Sequence, residues 1–191
     1  MKTIHRLLFT LVLISFGCSN YNKNIVREVN LKELKPVTID KIASSDNSSN
    51  LKFSSLHKKR LAHKESTNNW KCVNKKEKAI GKYQFTKIAL KQIGYDINYT
   101  EFVNHPEIFP ESEQEIALNK LLKHNKLVLK NVIKRYSGKK INNIKISETN
   151  ILAAAHLAGP IGVVKYLESN GQINRTDGHS RVSTYLKLFE I

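Results

Sequence analysis

Cysteine is scarce in this 191-residue chain, which has only Cys18 and Cys72. Two cysteines exclude a disulfide scaffold and a multi-cysteine zinc protein. The chain also lacks a glycine-rich phosphate loop, an internal repeat and the histidine spacing of a zinc site. The histidines without that spacing are His63, His105, His124 and His156. Asp177 and His179 are conceivable metal ligands, but a plain loop before a helix cap at Ser180 is favoured. We therefore predict no metal and no cofactor.

Acidic residues are few: 16 Asp and Glu stand against 32 Lys and Arg, which gives a formal charge of +16. Such a charge predicts attraction to polyanions. The basic runs are not interleaved with aromatic residues, as nucleic-acid binding would require, so no nucleic-acid partner is expected. An anionic cell-envelope surface is the expected partner of these runs: His57–Arg60, Lys75–Lys78 and Lys139–Lys140.

The chain's N-terminus carries a short apolar run, Leu7–Phe16, behind the basic residues Lys2 and Arg6. A membrane-spanning helix needs about 20 apolar residues, so this run is too short to be one. A basic start followed by a short apolar segment is typical of a secretory signal peptide, which we assign to residues 1–17. The alternative is a buried helix of the folded domain.

Cys18 follows the small residue Gly17, as in the cleavage site of a bacterial lipoprotein. Lipidation there predicts a membrane anchor, since each buried CH₂ contributes about 0.8 kcal/mol. The protein would then be an exported cell-envelope lipoprotein that faces the periplasm or the cell surface. Plain secretion, with Cys18 removed or paired to Cys72, is the alternative. Removal of residues 1–17 takes the formal charge from +16 to +14.

Composition divides the remaining chain into a tether and a domain. Residues 18–54 are rich in Asn, Ser, Lys and Asp, as in Ser44–Asn50, and cannot bury enough apolar surface to fold. Residues 55–191 predict one mainly α-helical, monomeric domain without convincing strands.

The apolar periodicity of residues 55–191 predicts six helical regions and one loop. A basic helix over Leu56–Ser66 precedes a loop or short hairpin over 67–80. The later helices have capping or breaking signals at their ends. The first is a stripe from Phe85, Ile88 and Ala89 to Ile93, closed by Gly94, and the second is one helix from Pro110 to Tyr136, ended by Gly138. A buried helix then runs from Ser147 to Ala158, and another runs from Ile161 to Ser169 after the Gly159–Pro160 break. The last is a stripe of Val182, Tyr185, Leu186 and Phe189.

Three motifs follow each other in this domain. Glu65-Ser66 closes a helix, Gly81-Lys82-Tyr83-Gln84-Phe85 follows, and Ala153–Pro160 comes later. In this order they resemble the lysozyme-like lytic transglycosylase and muramidase superfamily over about residues 56–189. The resemblance implies a lysozyme-like helical fold and cleavage of the MurNAc–GlcNAc β-1,4 bond of peptidoglycan glycan strands.

The resemblance also implies roles by position. Glu65 is the expected general acid and base, and Ser66 its neighbouring hydroxyl. Gly81, Tyr83 and Gln84 form the turn that lines the sugar groove, while Ala153–Gly159 closes the cleft. Without the motifs, Glu65 would be a surface acid among the basic residues of its helix.

A general acid for this bond needs an apolar, partly desolvated site that keeps the carboxyl protonated. A helix end beneath a buried helix and beside Tyr83 is such a site. Glycosidases commonly use two carboxylates, and Glu77, Asp96 and Asp177 are the candidates for the second. None is secure, and a lytic transglycosylase needs only one, so we expect 1,6-anhydromuramoyl products.

The chain departs from the superfamily where His156-Leu157 replaces Tyr-Asn. His156 is either a polar group over the acid or a core histidine. Trp70 either stacks on a sugar or packs on the core, and Cys72 as a thiol nucleophile is disfavoured because no orienting group is evident. Two other functions remain open: a non-catalytic peptidoglycan-binding module, and a basic membrane-tethered adaptor without sugar affinity.

Overall fold

The computed structural model describes residues 31, 34–44, 51–176 and 180–190. The predicted signal peptide and Cys18 lie outside these residues, as do Asp177 and His179. The described part is mainly α-helical, as predicted. Its helices are α1 (Ile39–Ser44), α2 (Ser55–Ser66), α3 (Lys87–Gln92), α4 (Tyr99–Asn104), a short 3₁₀ helix (Pro106–Ile108), α5 (Glu111–Val128), α6 (Lys130–Tyr136), α7 (Glu148–Glu168) and α8 (Val182–Leu188).

Two small antiparallel hairpins interrupt the helices. Strands β1 (Val73–Asn74) and β2 (Ala79–Ile80) pair with Val73 opposite Ile80, which confirms the hairpin alternative for residues 67–80. Strands β3 (Lys140–Ile141) and β4 (Ile144–Lys145) form the second hairpin, which was not predicted.

Helix α7 is the centre of the core, with α8 and α5 packed against it. Ser147 caps its start by accepting a hydrogen bond from the backbone N–H of Asn150. The buried residues 151–155 confirm the predicted central helix. Gly159 interrupts it with φ 67° and ψ 168°, which confirms the predicted break.

Among the described residues, α7 is also the one helix long and apolar enough to cross a membrane. Burial of 61% of its apolar window is what the core helix of a folded domain shows. This helix therefore gives only weak evidence for a membrane span.

The single helix predicted from Pro110 to Tyr136 is wrong, because the chain turns at Leu129. That residue has φ −93° and ψ 9°, between α5 and α6, and its side chain is fully buried. The start at Pro110 is confirmed, since this residue is the N-cap of α5. No glycine or proline marks the turn, so the apolar stripe alone suggested one continuous helix.

Two other helix predictions need correction. Thr86 caps α3, so Phe85 precedes the helix, and Ile88 is 74% exposed rather than part of the buried stripe. Arg181, not Ser180, is the N-cap of α8. The predicted buried stripe of α8 is confirmed.

The predicted boundary at residue 55 is too late. Phe53 is 3% exposed and stacks on Phe189 with ring centroids 5.8 Å apart, while Ile42 of α1 is 4% exposed. The Lys52 carbonyl also accepts a hydrogen bond from Thr149 Oγ1. The described residues just before 55 thus belong to the folded domain, because isolated apolar side chains in a polar stretch suffice to dock it.

Candidate active site

Glu65 lies in the last turn of α2, one residue before the helix ends. The helix begins at the Ser54 cap, and Thr67 ends it in a left-handed conformation with φ 56°. Leu61 and Ala62 are fully buried and fix the inner face of the helix against the core. Glu65 follows one turn after Leu61, so its side chain is drawn inward and is only 14% exposed.

The carboxyl group of Glu65 contacts two polar side chains from distant helices. Tyr185 Oη donates a hydrogen bond to Glu65 Oε1 at 2.5 Å. His156 Nε2 lies 3.7 Å from the same oxygen. Both contacts involve Oε1 of Glu65. The sequence placed Tyr185 in the last core stripe and gave no sign of this contact.

His156 joins the acid to the turn that follows the first hairpin. Its Nε2 donates to the Tyr83 carbonyl at 2.7 Å, and its ring packs edge-on to Phe85 at 6.1 Å. Its side chain is 5% exposed, and the buried Nδ1 has no hydrogen-bond partner. The residue therefore combines both predicted roles, since it is a core histidine that also borders the acid.

A cleft of about 260 Å³ opens at Glu65. Its polar lining comes from α2, from the β1–β2 hairpin with the turn after it, and from the helices α7 and α8. Its lining includes Lys64, Glu65, Glu77, Gln84, His156 and Tyr185. A cleft with several convergent polar groups around a shielded carboxyl is the usual form of a small-molecule or oligomer binding site.

Gln84 is the one residue of the predicted groove-lining turn that reaches the cleft. It has a left-handed backbone, with φ 49°. Its Nε2 donates to the Gly81 carbonyl at 2.9 Å and to the Cys72 carbonyl at 3.3 Å. The side chain thus fixes the turn, and its amide oxygen remains available as an acceptor.

Ser66, Gly81 and Tyr83 lie behind the cleft rather than in its lining. Ser66 Oγ contacts the Lys82 carbonyl at 2.7 Å and so ties the end of α2 to the turn. Tyr83 is 1% exposed, and its hydroxyl donates to Glu115 Oε1 at 2.7 Å rather than contacting Glu65. These residues position the site and do not form its surface.

A cluster of charged side chains holds the turn that contains Lys82 against α5. Lys82 Nζ contacts Glu111 at 2.8 Å and Glu115 at 2.9 Å. Burial opposes its charge, yet the two carboxylates raise the pKa of Lys82 above its ordinary value. Burial, followed by the hydrogen bond to Glu115, raises the pKa of Tyr83. Lysine and tyrosine therefore both stay protonated, and the cluster is a permanent anchor to α5.

Gln114 is a positioning residue that the sequence did not reveal. Its fully buried amide oxygen accepts from the Lys82 N–H at 2.6 Å, and its nitrogen donates to the carbonyls of Trp70 and Phe109. Trp70 and Lys82 are the two ends of the segment that contains the β1–β2 hairpin. The Gln114 side chain of α5 therefore holds both ends of the segment that carries Glu77.

The candidates for a second carboxylate separate clearly. Glu77 lines the same cleft as Glu65. Its backbone N–H donates to Asn74 Oδ1 at 3.1 Å within the hairpin turn. Asp96 is 81% exposed, lies 3.9 Å from Lys91 and does not line the cleft.

Trp70 and Cys72 do not line the cleft either. The Trp70 ring lies under Lys71 Nζ at 4.9 Å. Cys72 is a half-buried free thiol. Among residues 31, 34–44, 51–176 and 180–190, no group of three or more His, Cys, Asp and Glu side chains could hold a metal ion.

No protein-family model matches this chain, and neither a curated protein nor a solved structure does.

Proposed function

We propose that this protein is an exported enzyme that cleaves the MurNAc–GlcNAc β-1,4 bond of peptidoglycan, with Glu65 as general acid and base. The proposal rests above all on one observation. Glu65 is a shielded carboxyl that lines a cleft, with one of its oxygens held by Tyr185. The resemblance of the motifs to lytic transglycosylases of lysozyme-like fold is the reason for proposing peptidoglycan as the substrate.

The chemistry assigned to Glu65 has two steps. The protonated carboxyl gives its proton to the glycosidic oxygen, and the bond between that oxygen and C1 of MurNAc breaks. The C6 hydroxyl of the same MurNAc then bonds to C1, and its proton returns to Glu65. The products are a GlcNAc end and a 1,6-anhydromuramoyl end, without consumption of water.

Fixed polar groups around Glu65 favour such a reaction. The Tyr185 hydroxyl restrains the carboxyl, so that little reorganisation is needed when the proton moves. Gln84 presents an amide at the cleft, which suits the N-acetyl group of a sugar. His156 holds the turn carrying Gln84 beside the acid.

Glu77 gives a specific reason to keep hydrolysis as a second candidate. It lines the cleft opened at Glu65, and a second carboxylate could activate a water for attack on C1. Hydrolysis would leave a reducing MurNAc end instead of the anhydro end. The two outcomes differ by one water in product mass.

The test digests purified peptidoglycan with the wild-type chain, Glu65→Gln and Glu77→Gln, and reads the products by mass spectrometry. We expect anhydro products from the wild type and from Glu77→Gln, and a loss of at least about 100-fold in Glu65→Gln. Reducing ends that disappear in Glu77→Gln would establish hydrolysis. Retained binding to insoluble peptidoglycan without products, under conditions where a known muramidase works, would identify a binding module and refute the enzyme.

A further inference from the structure

A second cavity, of about 560 Å³, adjoins the candidate active-site cleft. Lys64 lines both, and it directly precedes the proposed acid in α2. The outer side of α8 and the turn between β3 and β4 form the other walls. Its lining includes Lys64, Asn143, Ile144, Thr184, Lys187 and Glu190.

The charges of this cavity form a defined pattern. Lys64 and Lys187 are exposed cations, and neither makes an ion pair with a carboxylate in the described part of the chain. Glu190 is the single anion of the lining. Its Oε1 accepts a hydrogen bond from the Lys145 N–H at 2.7 Å, which fixes the carboxylate against the second hairpin.

Neutral groups complete the cavity. Asn142 and Asn143 both have left-handed backbones, with φ 48° and 62°, in the tight turn of the hairpin. The exposed Asn143 amide and the Thr184 hydroxyl can donate hydrogen bonds to a ligand. Ile144, at 6% exposure, provides an apolar patch. The cavity thus combines two cations, one fixed anion and neutral donors.

We propose that this cavity binds the stem peptide that peptidoglycan carries on its MurNAc sugars. That peptide has several free carboxylates, which suit Lys64 and Lys187, and an amino group on its diamino acid, which suits Glu190. It is joined through the lactyl ether to the very sugar whose glycosidic bond the proposed reaction breaks. Lys64, which lines both spaces, links the cleft that would hold this sugar to the cavity proposed for its peptide.

This inference rests on the proposed function, so its test measures binding rather than cleavage. The ligands are a GlcNAc–MurNAc disaccharide tetrapeptide and the same disaccharide without peptide. Both lack the MurNAc–GlcNAc bond and are titrated calorimetrically into Glu65→Gln, the inactive background used for the further variants. We expect the peptide-bearing ligand to bind at least about tenfold more tightly.

Substitution of Lys187 localises the effect. Lys187→Glu, made in the Glu65→Gln background, is expected to remove the tenfold preference, and Lys187→Gln to reduce it. Lys130→Glu is the matched control, because Lys130 is an exposed lysine on α6 outside both cavities. Circular dichroism and thermal unfolding confirm that each variant is folded.

Two results would overturn the inference. Equal affinity for the two ligands would show that the peptide is not bound. Equal weakening of both ligands by Lys187→Glu would make the cavity a sugar site instead. Failure of the proposed function would appear separately, as wild-type protein that leaves intact peptidoglycan uncut.

Discussion

The hydroxyl of Tyr185 donates a hydrogen bond to Oε1 of Glu65 at 2.5 Å, across 120 residues of sequence. The contact joins α8, the last helix of the described chain, to α2, which carries the proposed acid. Tyr185 is 2% exposed, so its position is set by the core rather than by solvent. The hydrogen bond from this buried tyrosine therefore restrains the Glu65 carboxyl group.

Tyr185→Phe tests this coupling directly. Loss of the hydroxyl frees the carboxyl to turn, so we expect kcat on peptidoglycan to fall roughly 10- to 100-fold. KM should change little, because the ring and the cleft wall remain. Tyr99→Phe is the control, since Tyr99 lies in α4 outside the cleft. Wild-type kcat in Tyr185→Phe would remove Tyr185 from the catalytic arrangement.

Gly81 and Gly138 form a natural pair for measuring the close packing of the turn. Their φ angles are 80° and 87°, so an alanine strains the backbone similarly at both positions. A Cβ at Gly81 would lie 2.4 Å from Gln114 Oε1, whereas one at Gly138 meets nothing within 4 Å. We expect Gly138→Ala to lower the free energy of unfolding by about 1 kcal/mol.

Gly81→Ala should cost at least about 2 kcal/mol more, as for an overpacked core site. Urea unfolding measures both variants. Equal losses would show that the segment shifts freely away from α5, contrary to its fixed position here.

Gln114→Met removes the amide while keeping much of the volume. The Lys82 N–H and the carbonyls of Trp70 and Phe109 then lose their hydrogen-bond partner at buried or partly buried positions. We expect the free energy of unfolding to fall by about 3 kcal/mol. The exposed Gln92 provides the control Gln92→Met, which should stay within about 0.5 kcal/mol of wild type. A similarly small effect at Gln114 would mean that water replaces the amide.

The dependence of stability on pH provides a prediction for His124. Burial lowers the pKa of this side chain below 6.5, and its Nδ1 has no partner. The unfolded chain therefore binds more protons than the folded one, and stability falls as the pH drops below about 6.5 toward the folded-state pKa. Burial, followed by the charge of Arg60, lowers the pKa of His57 in the same direction.

His124→Gln should consequently flatten, without abolishing, the loss of stability between pH 7 and pH 5. Urea unfolding at several pH values measures the slope. His63→Gln, at an exposed position of α2, is the control for removal of a surface histidine. An unchanged slope in His124→Gln would place the acid sensitivity elsewhere.

Capping and helix-breaking residues correctly predicted where the helices α5 and α7 start and where α7 is interrupted. Pro110 and Ser147 stand at the N-caps of α5 and α7, and the Gly159 break interrupts α7 at the predicted position. Leu129 and Phe53 were misjudged because tertiary packing decided them. An apolar residue in a helical stripe fits a continuous helix or a turn between two helices equally well.

Only some residues of the candidate site could be predicted from the sequence. Glu65, Gln84 and His156 come together at the cleft, and a motif read along the chain can suggest such a grouping. Tyr185 and Gln114 could not be found this way, because their roles come from hydrogen bonds to residues 120 and 32 positions away. Their sequence patterns show only a core tyrosine and one polar residue on an amphipathic helix.

The bond between Tyr185 and Glu65 has a consequence for synthesis. A ribosome makes Glu65 first, and Tyr185 follows 120 residues later. A nascent or prematurely ended chain that lacks α8 therefore holds the acid without the hydroxyl that orients it. The arrangement is completed only after Tyr185 has been made, so chain termination before that residue yields no intact site.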